Sequence, residues 1–269
     1  MQAEQKLEAL LEWFRSYSSA LIAFSGGVDS AVVAAAAKMV LGGRALAVTA
    51  DSSTMPRREL EHAKRVAAEI GIKHRIIKED ELEDERFCMN PENRCYYCRS
   101  KLALALRRIA EQEGYELIAD GANASDLGEH RPGLKALREH GIRSPLLELN
   151  MHKQDVREVA AHLGLSVSTK PAMACLASRI PYGERITREK LRKVELAEDY
   201  LFERGFRNVR VRLHAGGTLA RIEVEQEELG RVLELREELT QHLRSLGFRY
   251  ITLDLLGYRA GSMDEVLEG

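Results

Sequence analysis

Apolar and polar positions along the chain alternate between two rhythms. A helical stretch ends in glycine and a short, β-like apolar run begins at once: Leu41-Gly42-Gly43 leads into Arg44–Thr49, Ile70-Gly71 into Ile72–Ile77, Gly114 into Tyr115–Asp120, and Gly164 into Leu165–Ser168. Glycine adopts the left-handed conformation that stops a helix, so each repeat reads as helix, stop, strand. The pattern predicts helices over Glu4–Tyr17, Asp29–Leu41, Arg57–Ile70, Arg99–Glu113 and Lys153–Leu163, with a buried strand at Ala20–Ser25. Strands alternating with helices build βαβ units, and hence a parallel sheet with helices on both faces. Residues 1–170 are therefore expected to form a doubly wound α/β domain.

The rhythm breaks near Lys170. Lys170–Gly183 carries two prolines and no clear period, which suits a connecting segment, placed at 171–186. Beyond it the pattern predicts a helix at Arg188–Arg204, strands at Asn208–Leu213 and Leu219–Val224, a helix at Glu227–Leu246 and a strand at Arg249–Leu255. That α-β-β-α-β order implies a small α+β domain over 187–269.

Composition narrows the functional classes. The chain has 269 residues, which suits one large domain or two modest ones, and 40 Lys+Arg stand against 42 Asp+Glu. A net charge of −2 gives no global electrostatic reason to bind nucleic acid or an anionic membrane. The longest apolar runs, Ala31–Ala37 and Ala45–Ala50, fall far short of the roughly 20 residues needed to cross a bilayer, and the N-terminus lacks a signal-peptide pattern. A cytoplasmic protein is expected. Thiols stay reduced there, so closely spaced cysteines read as metal or redox chemistry before disulfides. The chain has four, at 88, 95, 98 and 175.

Phe24-Ser25-Gly26-Gly27-Val28-Asp29-Ser30 lies between the apolar strand and an alanine-rich helix. Two glycines before a helix start present backbone N–H groups and the positive end of a helix dipole to an anion, and Ser25 and Ser30 add hydroxyls. The plainer reading is a strand-to-helix turn capped by Asp29 or Ser30. The spacing is neither that of the nucleoside-triphosphate loop, since no lysine follows, nor that of the dinucleotide fingerprint. It resembles the SGGxDS loop of the ATP pyrophosphatase (PP-loop) superfamily. The resemblance implies that Ser25, Gly26, Gly27, Asp29 and Ser30 bind the pyrophosphate of ATP, with Asp29 helping to hold Mg²⁺. Thr49-Ala50-Asp51-Ser52 is similar to the superfamily's nucleoside contact, implicating Asp51 and Ser52. Ala119–Asp126 is similar to its G-x-N-x-x-D loop, implicating Gly121, Asn123 and Asp126. In an open parallel sheet all three segments lie at carboxyl ends of strands, where ligands bind.

Asn90–Lys101, with Cys95-Tyr96-Tyr97-Cys98, and Ala174-Cys175-Leu176-Ala177-Ser178-Arg179-Ile180-Pro181-Tyr182-Gly183 narrow the resemblance to the LarE family of ATP-dependent sulfur transferases. Membership implies adenylylation of the carboxylates of pyridinium-3,5-biscarboxylic acid mononucleotide and their conversion to thiocarboxylates for a nickel-pincer cofactor. Cys175 stands at the sulfur-bearing position. Either its own sulfur is sacrificed, or Cys95, Cys98 and Cys175 hold a [4Fe-4S] cluster that carries an exogenous sulfide; the C-x-x-C pair favours the cluster. A structural zinc site of all four cysteines and a redox pair at 95 and 98 are competing readings. Cys88 lies outside the family motif and reads as an incidental thiol.

In Val209-Arg210-Val211-Arg212-Leu213 apolar residues alternate with arginines, so a strand buries three side chains and projects Arg210 and Arg212 together, roughly 6.6 Å apart. On pattern alone this is a solvated strand face; the resemblance implies instead a pair gripping the phosphate of the mononucleotide, with Glu223 orienting them. Ser178 and Arg179 are candidates for substrate or adenylate contacts, against helix capping or a surface ion pair. The eight histidines are scattered and none is assigned to a metal. Tyr96 and Tyr97 read as packing residues, with ring stacking on a pyridinium as the alternative. Glu79–Glu85 reads as a solvated loop or helix start. The family implies a homo-oligomer, a sulfide donor and no nucleic-acid partner. The rivals are a tRNA thiolation enzyme, an ammonia-using amide ligase, and a non-catalytic ATP or iron–sulfur carrier.

Overall fold

Four short parallel strands, each delivered by a helix ahead of it or behind it, organise the first part of the chain. In chain order the elements are α1 (Ala3–Arg15), β1 (Ala20–Ala23), α2 (Val28–Leu41), β2 (Ala45–Asp51), α3 (Arg57–Ile70), β3 (Lys73–Lys78), α4 (Glu85–Cys88), α5 (Arg94–Glu113), β4 (Leu117–Ala119), α6 (Pro132–Glu139), α7 (Pro145–Glu148) and α8 (Lys153–His162). They continue with α9 (Arg188–Glu203), β5 (Arg210–His214), β6 (Leu219–Glu223), α10 (Leu229–Glu234), α11 (Arg236–Ser245) and β7 (Tyr250–Leu253). The computed structural model describes residues 3–127, 132–171 and 174–265. Two units emerge, Met1–Glu81 with Asn93–Met173, and Leu82–Glu92 with Ala174–Gly269.

In the first unit the sheet order is β3-β2-β1-β4, with Ala20 in register with Ala45 on one side and Leu117 on the other. The period-two alternation of a strand sends its side chains to opposite faces. Ala20, Ile22, Ala45 and Ala47 pack under α1, α2 and α8, while Leu21, Leu46 and Val48 pack with Ala103, Leu106 and Ala110 of α5 and Leu137 of α6. Helices thus cover both faces, as expected of a doubly wound α/β unit. Gly71 and Gly114 terminate α3 and α5 at φ of 70° and 73°.

The expected strand at Leu165–Ser168 is a pair of turns, closed by Ser168 N–H to Leu165 O and Lys170 N–H to Val167 O. Leu165 and Val167 are buried, so their alternation imitates a strand while the backbone bonds to itself. Arg143, between α6 and α7, makes the bridge to Ala119 instead.

The second unit holds a three-stranded sheet, β5 antiparallel to β6 and β6 parallel to β7. The expected single helix over Glu227–Leu246 is broken into a turn, α10 and α11 around Leu235. Periodicity could not reveal the break, because Val232, Leu239 and Leu243 all stay buried. Residues 174–186, expected in a connector, are tied within this unit to Leu82–Glu92. The Asn90 side-chain amide donates to Ile180 O and Pro181 O, Gly183 N–H to Asn90 O, and Ile186 N–H to Cys88 O. Ala172 and Met173 of the expected connector lie outside the described residues. The acidic run is not wholly solvated either, since Glu81 is buried. Among the described residues no helix is long and apolar enough to cross a membrane.

Candidate active site

The loop from β1 to α2 is shaped by glycine. Gly26 has φ of 73°, and a Cβ there would lie 2.7 Å from Ala63 Cα of α3, so neither the turn nor the packing admits a side chain. Gly27 caps α2 without a side-chain hydrogen bond, which leaves the first-turn amides and the positive helix end for an anion. The two serines brace the loop: the Ser30 hydroxyl accepts from Ser25 N–H at 3.2 Å and donates to Gly27 O at 3.1 Å, while Ser25 Oγ accepts from Gly27 N–H at 3.3 Å.

β1 and β4 are neighbours although the chain visits β2 and β3 between them, so the loops after β1 and β4 meet at a topological switch point. Gly121 is seated there against the glycine loop; a Cβ on it would lie 2.7 Å from Ser30 N and 2.9 Å from Asp29 C. The Asn123 amide donates to Asp29 Oδ1 at 3.1 Å, and Asp126 Oδ2 accepts from Asn123 N–H at 3.0 Å, so Asp126 fixes Asn123 and Asn123 fixes Asp29. On its other oxygen, Asp29 Oδ2, the carboxylate meets the Lys153 ammonium at 2.5 Å. Asp120, ahead of Gly121, is buried, which pushes its carboxyl above the usual range. At the end of β2, Asp51 pairs with Arg57 of α3. Ser52 is buried, its hydroxyl 3.1 Å from that of Thr54, and its carbonyl accepts from Arg57 at 2.6 Å.

Helix α5 begins at Arg94, so Cys95 and Cys98 lie inside its first turns and not ahead of the helix, as a start at Arg99 implied. Three residues apart, they share one side of the helix. Cys95 is exposed and Cys98 half-buried, with its Sγ 3.5 Å from Glu81 Oε1. Burial pushes the Glu81 carboxyl above its usual range, and Glu81 Oε2 has no hydrogen-bond partner among the described residues. The half-buried Tyr96 donates its hydroxyl to Glu139 at 2.5 Å and meets Tyr97 edge-on. Cys88 is buried and donates to Leu82 O at 3.3 Å. Among the described residues no three His, Cys, Asp or Glu side chains are grouped to hold a metal ion. The thiols of Cys95 and Cys98 in the first unit and of Cys175 in the second are soft donors whose chemistry suits an iron–sulfur cluster.

In the second unit Cys175 is exposed and opens the short turn Leu176–Arg179. Its carbonyl accepts from Arg179 Nη1 and from the Ser178 hydroxyl, both at 2.8 Å. Arg179 is fully buried and makes a two-point ion pair with Glu198 of α9, at 2.8 and 3.0 Å; Glu198 Oε1 also accepts from Val211 N–H. Arg179 is thus neither a surface pair nor a cap. Nor do Arg210 and Arg212 line a solvated face: they are 2% and 5% exposed, because α9 and the 176–179 turn pack against β5. Arg212 donates to Glu223 Oε2 at 2.9 and 3.1 Å and to Ser178 O at 3.2 Å, and Glu223, fully buried, also accepts from Arg221 and the Ser262 hydroxyl. Arg210 lies over the ring of Tyr258, and burial beside Arg179 holds its pKa below the usual value.

A model of the asparagine synthase family matches residues 13–91, the stretch that contains the glycine loop. A glutamine-hydrolyzing GMP synthase component of Archaeoglobus fulgidus is 31% identical over 198 residues, covering 68% of this chain and 64% of that protein. An uncharacterized protein of Synechocystis sp. is 46% identical over 266 residues, 98% of each chain. Pyridinium-3,5-bisthiocarboxylic acid mononucleotide synthase of Lactiplantibacillus plantarum is 37% identical over 263 residues, covering 97% of this chain and 95% of that protein. The chain belongs to the LarE family.

Three side chains of this LarE protein escaped the sequence reading. Lys153 opens α8 and nothing local marks it as a partner of Asp29. Glu81 sits in an acidic run that looks solvated. Glu198 did carry a signal, since it stands on the same helical stripe as the buried Leu191, Val194 and Leu201, where a carboxylate needs a partner.

Proposed function

We propose that this chain is an ATP-dependent sulfur transferase of nickel-pincer cofactor biosynthesis. It transfers AMP from ATP to carboxylates of pyridinium-3,5-biscarboxylic acid mononucleotide and replaces the activated oxygen with sulfur, giving thiocarboxylates, AMP and pyrophosphate. The observation that carries this reading is the near full-length likeness to the Lactiplantibacillus plantarum synthase, joined to a glycine loop at the switch point of a parallel sheet.

A carboxylate oxygen is a poor leaving group, and adenylylation turns it into a phosphoryl one. Ser25, Gly26, Gly27 and Ser30 cradle the departing pyrophosphate, where fixed amides and the helix start stabilise developing charge. Asp29, oriented by Asn123, would hold Mg²⁺ together with the phosphates; a lone carboxylate suits this ion, which is usually bound by one or two carboxylates plus substrate phosphates. Gly121 and Asp126 keep the second loop against the first, and Asp51 and Ser52 meet the nucleoside. Arg210 and Arg212, oriented by Glu223, receive the phosphate of the mononucleotide, and Ser178 and Arg179 contact the substrate or its adenylate. A [4Fe-4S] cluster on the thiolates of Cys95, Cys98 and Cys175 would supply an iron without a protein ligand for a transferable sulfide. A sulfide donor and a homo-oligomeric assembly complete the proposal.

The test is intact-protein mass spectrometry after anaerobic iron and sulfide reconstitution and reaction with ATP and the biscarboxylate nucleotide. The expected result is thiocarboxylate product, AMP and pyrophosphate with the polypeptide mass unchanged. A loss of H₂S from Cys175 assigns sacrificial transfer and removes the cluster's role. Pyrophosphate release that requires tRNA overturns the substrate assignment.

A further inference from the structure

Asp29 is the carboxylate on which the proposed metal role depends, and its two oxygens are already engaged. Oδ1 takes the neutral Asn123 amide, which only orients it, whereas Oδ2 holds the Lys153 ammonium at 2.5 Å. Lys153 is anchored through its backbone, whose N–H donates to Ser125 Oγ at 3.0 Å within the turn that carries Asn123 and Asp126. The anchor belongs to the same loop cluster, so the ammonium can move while the main chain stays. Both side chains retain some exposure, 33% for Lys153 and 23% for Asp29, so ligands reach them.

A divalent ion and the ammonium compete for that carboxylate. Mg²⁺ about 2.1 Å from Oδ2 would bring two cations to within about 5 Å of each other. Metal alone binds against the repulsion of Lys153 or displaces it into water. A triphosphate changes the balance, because it offers the ammonium a new anionic partner, and a flexible four-carbon stem lets the charge follow. We propose that Lys153 is a positioning residue that gates the metal: it neutralises Asp29 in the nucleotide-free chain and passes to the phosphates as ATP enters, so that divalent metal and nucleotide bind as one event. This rests on the nucleotide reading of the glycine loop. By linkage, nucleotide then tightens metal binding as much as metal tightens nucleotide binding.

The experiment measures Mn²⁺ binding to the full nucleotide-free chain by electron paramagnetic resonance, and ATP binding in excess chelator by calorimetry, for the wild type, K153M, K153R and D29N/K153M. K153M is expected to bind Mn²⁺ about tenfold more tightly and metal-free ATP about tenfold more weakly, the low end of couplings between sites. These opposite shifts are what a merely structural lysine cannot produce, since loss of local order weakens both ligands. K153R is expected to restore both values, and D29N/K153M to erase the gain in Mn²⁺ affinity. The gate is overturned if K153M leaves Mn²⁺ affinity unchanged or lowers it, or if the double variant keeps the gain. A wild-type chain that binds no ATP overturns the nucleotide reading and the transfer to phosphates with it, while the Mn²⁺ comparison still decides whether Lys153 opposes metal at Asp29.

Discussion

Gly121→Ala is the most direct perturbation of the nucleotide site, and its size follows from the packing. The added methyl would lie 2.7 Å from Ser30 N, 2.9 Å from Asp29 C and 3.0 Å from Ser30 Cα. All three are backbone atoms of the glycine loop and first turn of α2, so no side chain can rotate away. Ordinary contact needs roughly 0.7 Å more, which must come from separating the loop after β4 from the loop after β1. Overpacking of this kind costs about 1–3 kcal/mol, and at about 2–4 °C per kcal/mol for a unit of this size the melting temperature should fall by several degrees. The functional loss should be larger, because a displacement approaching 1 Å in a positioned site costs on the order of 10²-fold in rate. The assay is pyrophosphate release with ATP and the biscarboxylate nucleotide, alongside thermal melting. Gly43→Ala is the control: a Cβ there meets nothing within 4 Å, and both readouts should stay at wild-type values. If G121A melts with the wild type and keeps its rate, the two loops are not in the register described and the switch-point argument fails.

Two further outcomes follow from buried charge. Glu198→Gln leaves the fully buried Arg179 without its counter-charge, which costs about 3–5 kcal/mol for a broken buried pair, so denaturant melts should show a marked drop in midpoint, and an unchanged midpoint would contradict the ion pair. His62, His74, His214 and His242 are all held below their usual pKa chiefly by burial. The unfolded chain then binds more protons than the folded one, so their contribution is complete above the ordinary value of 6.5 and is lost as pH falls through the lowered ones. Melting temperature should decline from about pH 7 to about pH 5, and H74Q should flatten part of that decline; a slope unaltered in H74Q would refute the assignment for His74.

Much of the first unit was legible because its determinants are local. Glycine at a helix end and a glycine pair before α2 impose backbone conformations whatever surrounds them, and α3 occupies the predicted span Arg57–Ile70. What was illegible depended on neighbours distant in sequence. Alternation at Leu165 and Val167 shows which side chains are buried but not whether the backbone finds a strand partner. Alternation at Arg210 and Arg212 shows that they share a face but not that α9 and the 176–179 turn cover it. Lys153 could be matched to Asp29 only after the sheet order had brought α8 to the glycine loop.

The excursion of Leu82–Glu92 bears on how this protein is made and inherited. The ribosome emits Phe87, Cys88 and Asn90 before β4 exists to complete the first sheet and long before β5, β6 and β7 are synthesised. These residues, buried in the finished molecule, must wait through most of translation for the unit that shelters them. A gene fragment ending before Ala174 would carry them without the rest of their unit, and one beginning there would lack the piece that Ile180, Pro181, Gly183 and Ile186 bond. Neither unit is encoded as one continuous stretch of sequence, and two relatives align along nearly the whole chain.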